Sequence, residues 1–302
     1  MEDRMRDGVQ DKAQDNVQDR PQDKAPGSAQ DRVRQRWVCG LSYDGRHYCG
    51  WQKQPVVPGL KPSVQMTVEA ALSAVAGEPV DIRCAGRTDA GVHALEQVIE
   101  FAVGVDRPTT AWVRGANAHL PDDVAMRWAV PLPPEADFDA RFSARARTYW
   151  YLLIDSPVAP PLWQGRAGWT HRPLDVDAMQ VAVEPLIGTH DFSSFRAAEC
   201  QAASPVRTLE SWRIERHGAF ILMSLTANAF LHHMVRNLVG SLVYVGDGRR
   251  PSEWLAEVLA ARSRQAAAPT FAAGGLYLRS VRYEPHWRLP IQEKALSLCE
   301  LV

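Results

Sequence analysis

Residues 84–93 read Cys-Ala-Gly-Arg-Thr-Asp-Ala-Gly-Val-His and lie between two segments with an alternating polar and apolar pattern. The alternation covers residues 80–84 before this segment and residues 97–103 after it. A period of two residues is typical of β-strands, so the pattern predicts two strands joined by a loop. Loops held by rigid strands are where binding and catalytic residues are commonly placed.

Within this loop, Asp89 is the first candidate for a catalytic residue. Gly86 and Gly91 bracket it, which suits a tight turn with positive φ or the close approach of a ligand. A carboxylate two residues after Arg87 is a candidate nucleophile or acid-base group next to a cation. The alternative is an Asx-turn, in which Asp89 only bonds its own backbone. Residue types alone leave both interpretations open.

The loop and several other segments of the chain resemble one protein family. Residues 86–93 resemble the signature of the A-type (TruA) family of tRNA pseudouridine synthases. The resemblance extends over about residues 37–287 and includes, in the family's order, residues 43–45, 50–54, 63–65, 117–121, 141–144, 147–151, 190–192 and 230–237.

The resemblance implies an α+β fold of two ferredoxin-like α/β halves. These form one continuous, mostly antiparallel sheet with helices on one side and a central cleft that holds the active site. The sequence patterns agree with two halves. Strand and helix patterns occur in each half, and prolines at 131, 133 and 134 mark a boundary between them. The predicted parts are a disordered tail (1–35), an N-terminal half (36–134), a C-terminal half (135–287) and an irregular C-terminal tail (288–302).

The same resemblance implies an enzyme, a tRNA pseudouridine synthase that isomerises uridine at positions 38, 39 and 40 of the anticodon stem and loop. It further implies that Asp89 is the essential aspartate, that Arg236 pairs with it, and that Tyr149 is the active-site tyrosine. Arg87 would help turn the target base out of its stack. No metal or organic cofactor is needed for this isomerisation, and the family implies a homodimer whose partner is the anticodon arm of tRNA.

Three more residues are candidates for substrate binding. Trp51 and Gln52 lie beside the proline-rich segment 55–62, and aromatic and amide side chains there suit contacts with unpaired nucleotides. The alternative places Trp51 in the core of a surface hairpin. His232 precedes Arg236 by four residues in a helix predicted over 231–245, so the two share a helix face.

Composition narrows the remaining classes of function. No apolar run approaches the roughly 18 residues of a membrane span, and the N-terminus lacks the apolar core of a signal peptide, so we expect a cytoplasmic protein without membrane contact. Five scattered cysteines argue against a disulfide framework or a zinc knuckle. A net charge of −1 does not by itself predict RNA binding.

Two alternatives belong to other functional classes. The first is a non-catalytic tRNA-binding or tRNA-folding protein on the same scaffold, which would not need the set of Asp89, Tyr149 and Arg236. The second is a metal-dependent hydrolase that uses the histidines. Only His232 and His233 are neighbours, and adjacent residues of a helix point to different sides, so the spacing predicts no metal site.

Overall fold

The computed structural model describes residues 34–55, 59 and 61–291. The predicted tail therefore lies outside the described residues up to position 33, and so do positions 56–58 and 60 of the proline-rich segment and positions 292–302 of the C-terminal tail. The first strand begins at Gln35, the last residue of the predicted tail. Within the described ranges, no helix is both long enough and apolar enough to cross a membrane.

The fold is α+β, as predicted. The part of the chain that the structure describes contains five α-helices: α1 (Val64–Ala76), α2 (Ala116–His119), α3 (Val176–Val183), α4 (Met234–Gly246) and α5 (Trp254–Ala261). It also contains ten strands: β1 (Gln35–Tyr43), β2 (Arg83–Cys84), β3 (His93–Val103), β4 (Val124–Leu132), β5 (Ala146–Asp155), β6 (Gly168–Thr170), β7 (Gly188–Asp191), β8 (Val206–His217), β9 (Phe220–Ala227) and β10 (Leu276–Arg282).

All ten strands belong to one sheet with the order β4-β1-β3-β10-β5-β9-β8-β7, to which β2 is added beside β3 and β6 beside β5. The pairing is antiparallel except between β10 and β3 and between β5 and β6. The predicted continuous, mostly antiparallel sheet is thus confirmed. The division into two ferredoxin-like halves, with helices on one side of a central cleft, stays a prediction.

Strand β10 joins the early and the late parts of the sheet at its centre. Leu278 pairs with Ala94 of β3 on one side and with Tyr149 of β5 on the other. The loop before β3 and the middle of β5 are therefore separated by a single strand. This register brings the segment that carries Asp89 close to Tyr149, although the two are distant in sequence.

Local signals in the sequence set the limits of helix α1. The Ser63 hydroxyl accepts a hydrogen bond from the backbone N–H of Met66, 3.2 Å away, as an N-cap does. Gly77 ends the helix in the left-handed conformation, with φ of 72°. Val68 and Leu72 on the inner face are fully buried, as in an amphipathic helix that packs on a sheet.

Two predicted elements differ from the observed ones. Helix α4 begins at Met234 and not at 231, because His233 adopts a left-handed backbone conformation with φ of 61° and interrupts the helix. Strand β2 covers only Arg83–Cys84 of the predicted 80–84, whereas β3 begins earlier than predicted. The alternation in β3 is weak because both faces of this central strand are covered, so that even Gln97 is buried.

Candidate active site

The loop between β2 and β3 is fixed from several sides. The Gln97 side chain donates a 2.5 Å hydrogen bond to the carbonyl oxygen of Gly86. The hydroxyl groups of Tyr43 and Thr88 are 2.8 Å apart, and the Trp51 backbone N–H donates to the Thr88 carbonyl oxygen at 2.9 Å. These contacts hold the residues that precede Asp89 and do not occupy its carboxylate, which meets other groups.

Glycine is required in this loop at Gly91 for its backbone conformation. Gly91 has a φ of 77°, in the region that favours glycine, which confirms one of the two predicted turns. Gly86 does not adopt a positive φ. It lies instead opposite the active-site tyrosine candidate, since a Cβ at Gly86 would be 3.9 Å from the Tyr149 hydroxyl oxygen.

Side chains from the start of α4 surround the Asp89 carboxylate. The Arg236 guanidinium donates to Oδ2 at 3.1 Å, and the Nε2 atoms of His232 and His233 lie 3.3 Å from Oδ1 and Oδ2. Among the described residues, no backbone N–H donates a hydrogen bond to the Asp89 carboxylate. The Asx-turn interpretation is therefore not what the structure contains. The carboxylate faces a group of cationic and imidazole side chains.

A second contact holds the Arg236 guanidinium in place. Its Nε donates to the carbonyl oxygen of Phe271 at 2.9 Å, while the Phe271 N–H donates back to the carbonyl oxygen of Arg236 at 3.2 Å. The side chains of Arg236 and Asp89 are only 16% and 21% exposed. Charge-assisted hydrogen bonds are stronger where water is partly excluded, so this pair orients the carboxylate.

The two histidines reach Asp89 for a reason other than the predicted one. They precede α4, and the left-handed turn at His233 places both rings on the same side, with centroids 4.0 Å apart. The predicted shared helix face of His232 and Arg236 is wrong, although His232 does lie at the site. Burial lowers the pKa of His233, and the charge of Arg236 and the neighbouring His232 act in the same direction against the opposing effect of Asp89.

The same group includes ligand types that bind metals. One ligand atom from each of Asp89, His232 and His233 lies within 4.8 Å of the others, so the geometry permits a cation. The reason given above against a metal at the histidine pair, their opposite directions on a helix, is therefore wrong. The Arg236 guanidinium, 3.1 Å from the carboxylate, opposes a cation by its charge. A site without metal stays our prediction.

Tyr149 lies at the site with its ring largely enclosed. It is 8% exposed and packs edge-on against Phe230, with ring centroids 5.1 Å apart. Burial and the negative charge of Asp89 raise the pKa of the Tyr149 hydroxyl, which therefore stays protonated at neutral pH. No hydrogen-bond partner for this hydroxyl is found in residues 34–55, 59 and 61–291. It is a neutral donor free to meet a substrate.

The remaining residues predicted to bind substrate differ in their exposure to solvent. Arg87 and Gln52 are exposed, and within the described ranges their side chains make no hydrogen bond or ion pair. Trp51 is only 2% exposed, and its ring packs against Tyr43 with centroids 6.0 Å apart. An RNA strand cannot reach a buried ring, so the core alternative describes Trp51 better. Its backbone supports the Asp89 loop.

Comparison with known proteins shows the family to which the chain belongs. The family model described as tRNA pseudouridine synthase matches residues 41–143 and 182–284, which include the loop, Tyr43 and the start of α4. The chain belongs to the tRNA pseudouridine synthase family. A protein of Dechloromonas aromatica named tRNA pseudouridine synthase A is 53% identical over 84% of this chain and 95% of its own length. The corresponding proteins of Bordetella petrii and Thiobacillus denitrificans are each 54% identical and are covered over 93% and 96% of their lengths.

Solved structures are less similar. A Cbf5-Nop10-Gar1 complex aligns with 80% of this chain at 11% identity and a TM-score of 0.33, which is too low to support a conclusion.

Several residues of this synthase-family site were missed by the sequence interpretation. His233 was missed because the helix was predicted to begin too early. Phe271 and Gln97 act through a backbone carbonyl and a buried amide, and neither has a sequence signature. Arg147 donates to the carbonyl oxygens of Ala85 and Arg141 at 2.9 and 2.6 Å. Its position two residues before Tyr149 on the same strand was the only available signal.

Proposed function

We propose that this protein is an RNA-modifying isomerase that converts uridine to pseudouridine in tRNA, with Asp89 as the catalytic residue. The observation that carries this proposal is the Asp89 carboxylate, held by Arg236 on a fixed loop in a member of the tRNA pseudouridine synthase family. Tyr149 adds a neutral hydroxyl at the same place.

The reaction breaks and forms one bond to the ribose. The bond between N1 of uracil and C1′ breaks, the base rotates, and C5 bonds to C1′. The proton on C5 is lost and N1 gains one, so the product is an isomer and the reaction needs no oxidant or reductant. A carboxylate suffices as a nucleophile or base during the interval in which base and ribose are separated.

Each side chain has a role that follows from its position. Asp89 acts on the ribose or the base, and Arg236 fixes the orientation of its carboxylate by bonding to it and to the Phe271 carbonyl oxygen. The protonated hydroxyl of Tyr149 donates a hydrogen bond or proton to the detached base. Arg87, exposed two residues before Asp89, takes the place of the base that leaves the stack.

The substrate we propose is the anticodon arm of tRNA, with uridines at positions 38, 39 and 40. Selection of adjacent positions without a fixed sequence requires recognition of shape and backbone, since base edges would differ at each position. We further propose that the protein acts in the cytoplasm as a homodimer that binds tRNA without a metal or other cofactor. These details come from the resemblance of the sequence to the family.

The direct test is release of tritium from tRNA labelled at C5 of uridine. The isomerisation removes the hydrogen from C5, whereas binding without reaction leaves it in place. We expect release by the wild-type protein, none by Asp89→Asn, and unchanged release by the control Asp81→Asn. Asp81 is an aspartate whose side chain is 92% exposed. Affinity for tRNA is measured for all three proteins.

Two outcomes would contradict the proposal. If the wild-type protein binds tRNA and releases no label, the chain is a tRNA-binding protein without this activity. If Asp89→Asn releases label at the wild-type rate, another residue performs the chemistry.

A further inference from the structure

An ordered turn beside the Asp89 loop presents an aromatic ring to solvent. Phe142 is 77% exposed, and the guanidinium carbon of Arg141 lies 5.4 Å from the centre of its ring. The turn is held from within. The backbone N–H groups of both residues donate to Oδ1 of Asp139 at 2.8 Å, and the Ser143 hydroxyl accepts from the Asp139 N–H at 3.0 Å. The exposure of the ring therefore belongs to a defined conformation.

The turn is tied directly to the Asp89 loop. One nitrogen of the Arg147 guanidinium donates both to the Arg141 carbonyl oxygen and to that of Ala85, four residues before Asp89. The other terminal nitrogen donates to the carbonyl oxygens of Ala144 and Asn228. Arg147 thus fixes the distance between the exposed ring and the site by bonds to backbone atoms only.

Three arginines of this region have side chains that are not paired with a carboxylate of any described residue, and the Asp139 carboxylate of the turn is bonded to backbone N–H groups and to Arg83. Within the described ranges, none of Arg87, Arg141 and Arg147 has a carboxylate partner. Burial raises the pKa of the Cys84 thiol, and the charges of these three arginines partly offset that rise, which places all of them around Cys84. Arg83, which lies next to Cys84, is paired with Asp139 at 3.5 Å.

We propose that Phe142 and Arg141 form a subsite for a nucleotide that flanks the target uridine. The ring of Phe142 stacks on the base of that nucleotide, and Arg141 and Arg87 contact the phosphates on either side. The subsite rests on the proposed function, because it assumes an RNA strand that enters the Asp89 site.

The chemistry of the surface favours RNA over an apolar partner. An exposed ring next to unpaired arginines matches the alternation of aromatic bases and phosphates along a single strand. Stacking accepts any base, which suits a protein that acts at several positions with different neighbours. An apolar protein surface would bury the arginines without offering them a counter-charge.

The experiment uses the anticodon stem-loop with 2-aminopurine next to the target uridine, and full-length tRNA for affinity. Stacking of 2-aminopurine on an aromatic ring changes its fluorescence. We expect the change with the wild-type protein and with Phe142→Trp, and its loss with Phe142→Ala. Affinity for tRNA falls roughly 5- to 150-fold in Phe142→Ala, the range of one lost stacking contact. Val181→Ala, at another exposed apolar position on α3, leaves affinity unchanged.

The phosphate contact is tested through the salt dependence of binding. Loss of one contact in Arg141→Gln lowers the slope of log affinity against log salt by about 0.7 to 1. The control Arg114→Gln replaces an exposed arginine at another place and leaves the slope unchanged. Thermal unfolding of each variant verifies that the turn still folds.

Three outcomes separate the possibilities. Unchanged fluorescence, affinity and slope in the Phe142 and Arg141 variants of an active enzyme overturn the subsite and leave the proposed function intact. A change of oligomeric state in Phe142→Ala, measured by sedimentation, overturns the subsite and assigns the ring to contact with a second copy of the chain. Absence of tritium release and of tRNA binding by the wild-type protein removes the proposed function itself.

Discussion

Gly50 packs against the backbone of Thr88, the residue just before Asp89. A Cβ on Gly50 would lie 3.0 Å from the Thr88 carbonyl oxygen and 3.1 Å from the N atom of Ala90, and Gly50 has a φ of 110°. The neighbouring Trp51 N–H bonds to that same Thr88 oxygen. The irregular segment that carries Gly50 therefore supports the Asp89 loop, and only glycine allows this close approach.

Gly50→Ala is expected to displace the loop and reduce turnover. The added methyl group meets backbone atoms that cannot rotate away, and the positive φ adds strain, which together cost roughly 1–3 kcal/mol of stability. We expect kcat to fall more than tRNA affinity, measured by tritium release and by filter binding. Gly248→Ala is the control, because Gly248 has a φ of 74° and no atom within 4 Å of its added Cβ. Equal loss of kcat in both variants would contradict a specific role for Gly50.

Trp51 is expected to contribute to stability and not to RNA affinity. Its side chain is 2% exposed, so Trp51→Ala creates a cavity that lowers the free energy of unfolding by about 3–5 kcal/mol. Trp51→Phe keeps much of the volume and is expected to fold and to bind tRNA as the wild type does. Trp169→Phe, at a tryptophan that is 40% exposed, serves as the control for stability. A folded Trp51→Phe variant with strongly weakened tRNA binding would restore the original prediction of an RNA contact.

Turnover is expected to depend on the guanidinium group of Arg236 and not only on its positive charge. Lysine cannot bond at once to the Asp89 carboxylate and to the Phe271 carbonyl oxygen with the same geometry. We expect Arg236→Lys to lower kcat roughly 100-fold, since small errors in orientation have effects of that size. Arg216→Gln removes another arginine–aspartate pair, with Asp155 at 2.8 Å, and is expected to retain kcat. Wild-type turnover in Arg236→Lys would show that orientation by the guanidinium is unimportant.

His233 is expected to make the folded state sensitive to mild acid. Burial lowers its pKa in the folded protein below the ordinary value of 6.5, so the unfolded chain binds more protons in the window between the lowered value and 6.5. The free energy of unfolding therefore falls as the pH decreases through this window. We expect His233→Gln to reduce that fall, measured by urea unfolding at several pH values. The exposed His286 provides the control substitution, His286→Gln, and an identical pH dependence in wild type and His233→Gln would contradict the assignment.

Much of the fold and part of the site could be predicted from local sequence signals. Helix α1 is defined by a serine cap and a terminal glycine, and both signals act within one helical turn. The position of Asp89 in a loop between two strands, and the positive φ of Gly91, follow from residues within a few positions of each other. The predicted start of α4 was wrong because the left-handed backbone conformation of His233 has no strong local sequence signal.

The sequence by itself determined which residues we propose for the chemistry, because the motif around Asp89 and the segments that contain Tyr149 and Arg236 are contiguous patterns. Tertiary structure alone decided how they meet. Asp89 and Arg236 are 147 residues apart. They come together because β10 lies between β3 and β5, and because β9, which precedes α4 in the chain, pairs with β5. Burial is likewise a property of the whole packed structure. Trp51 and Phe142 are both aromatic residues beside polar ones, and only tertiary packing buries the first and leaves the second exposed.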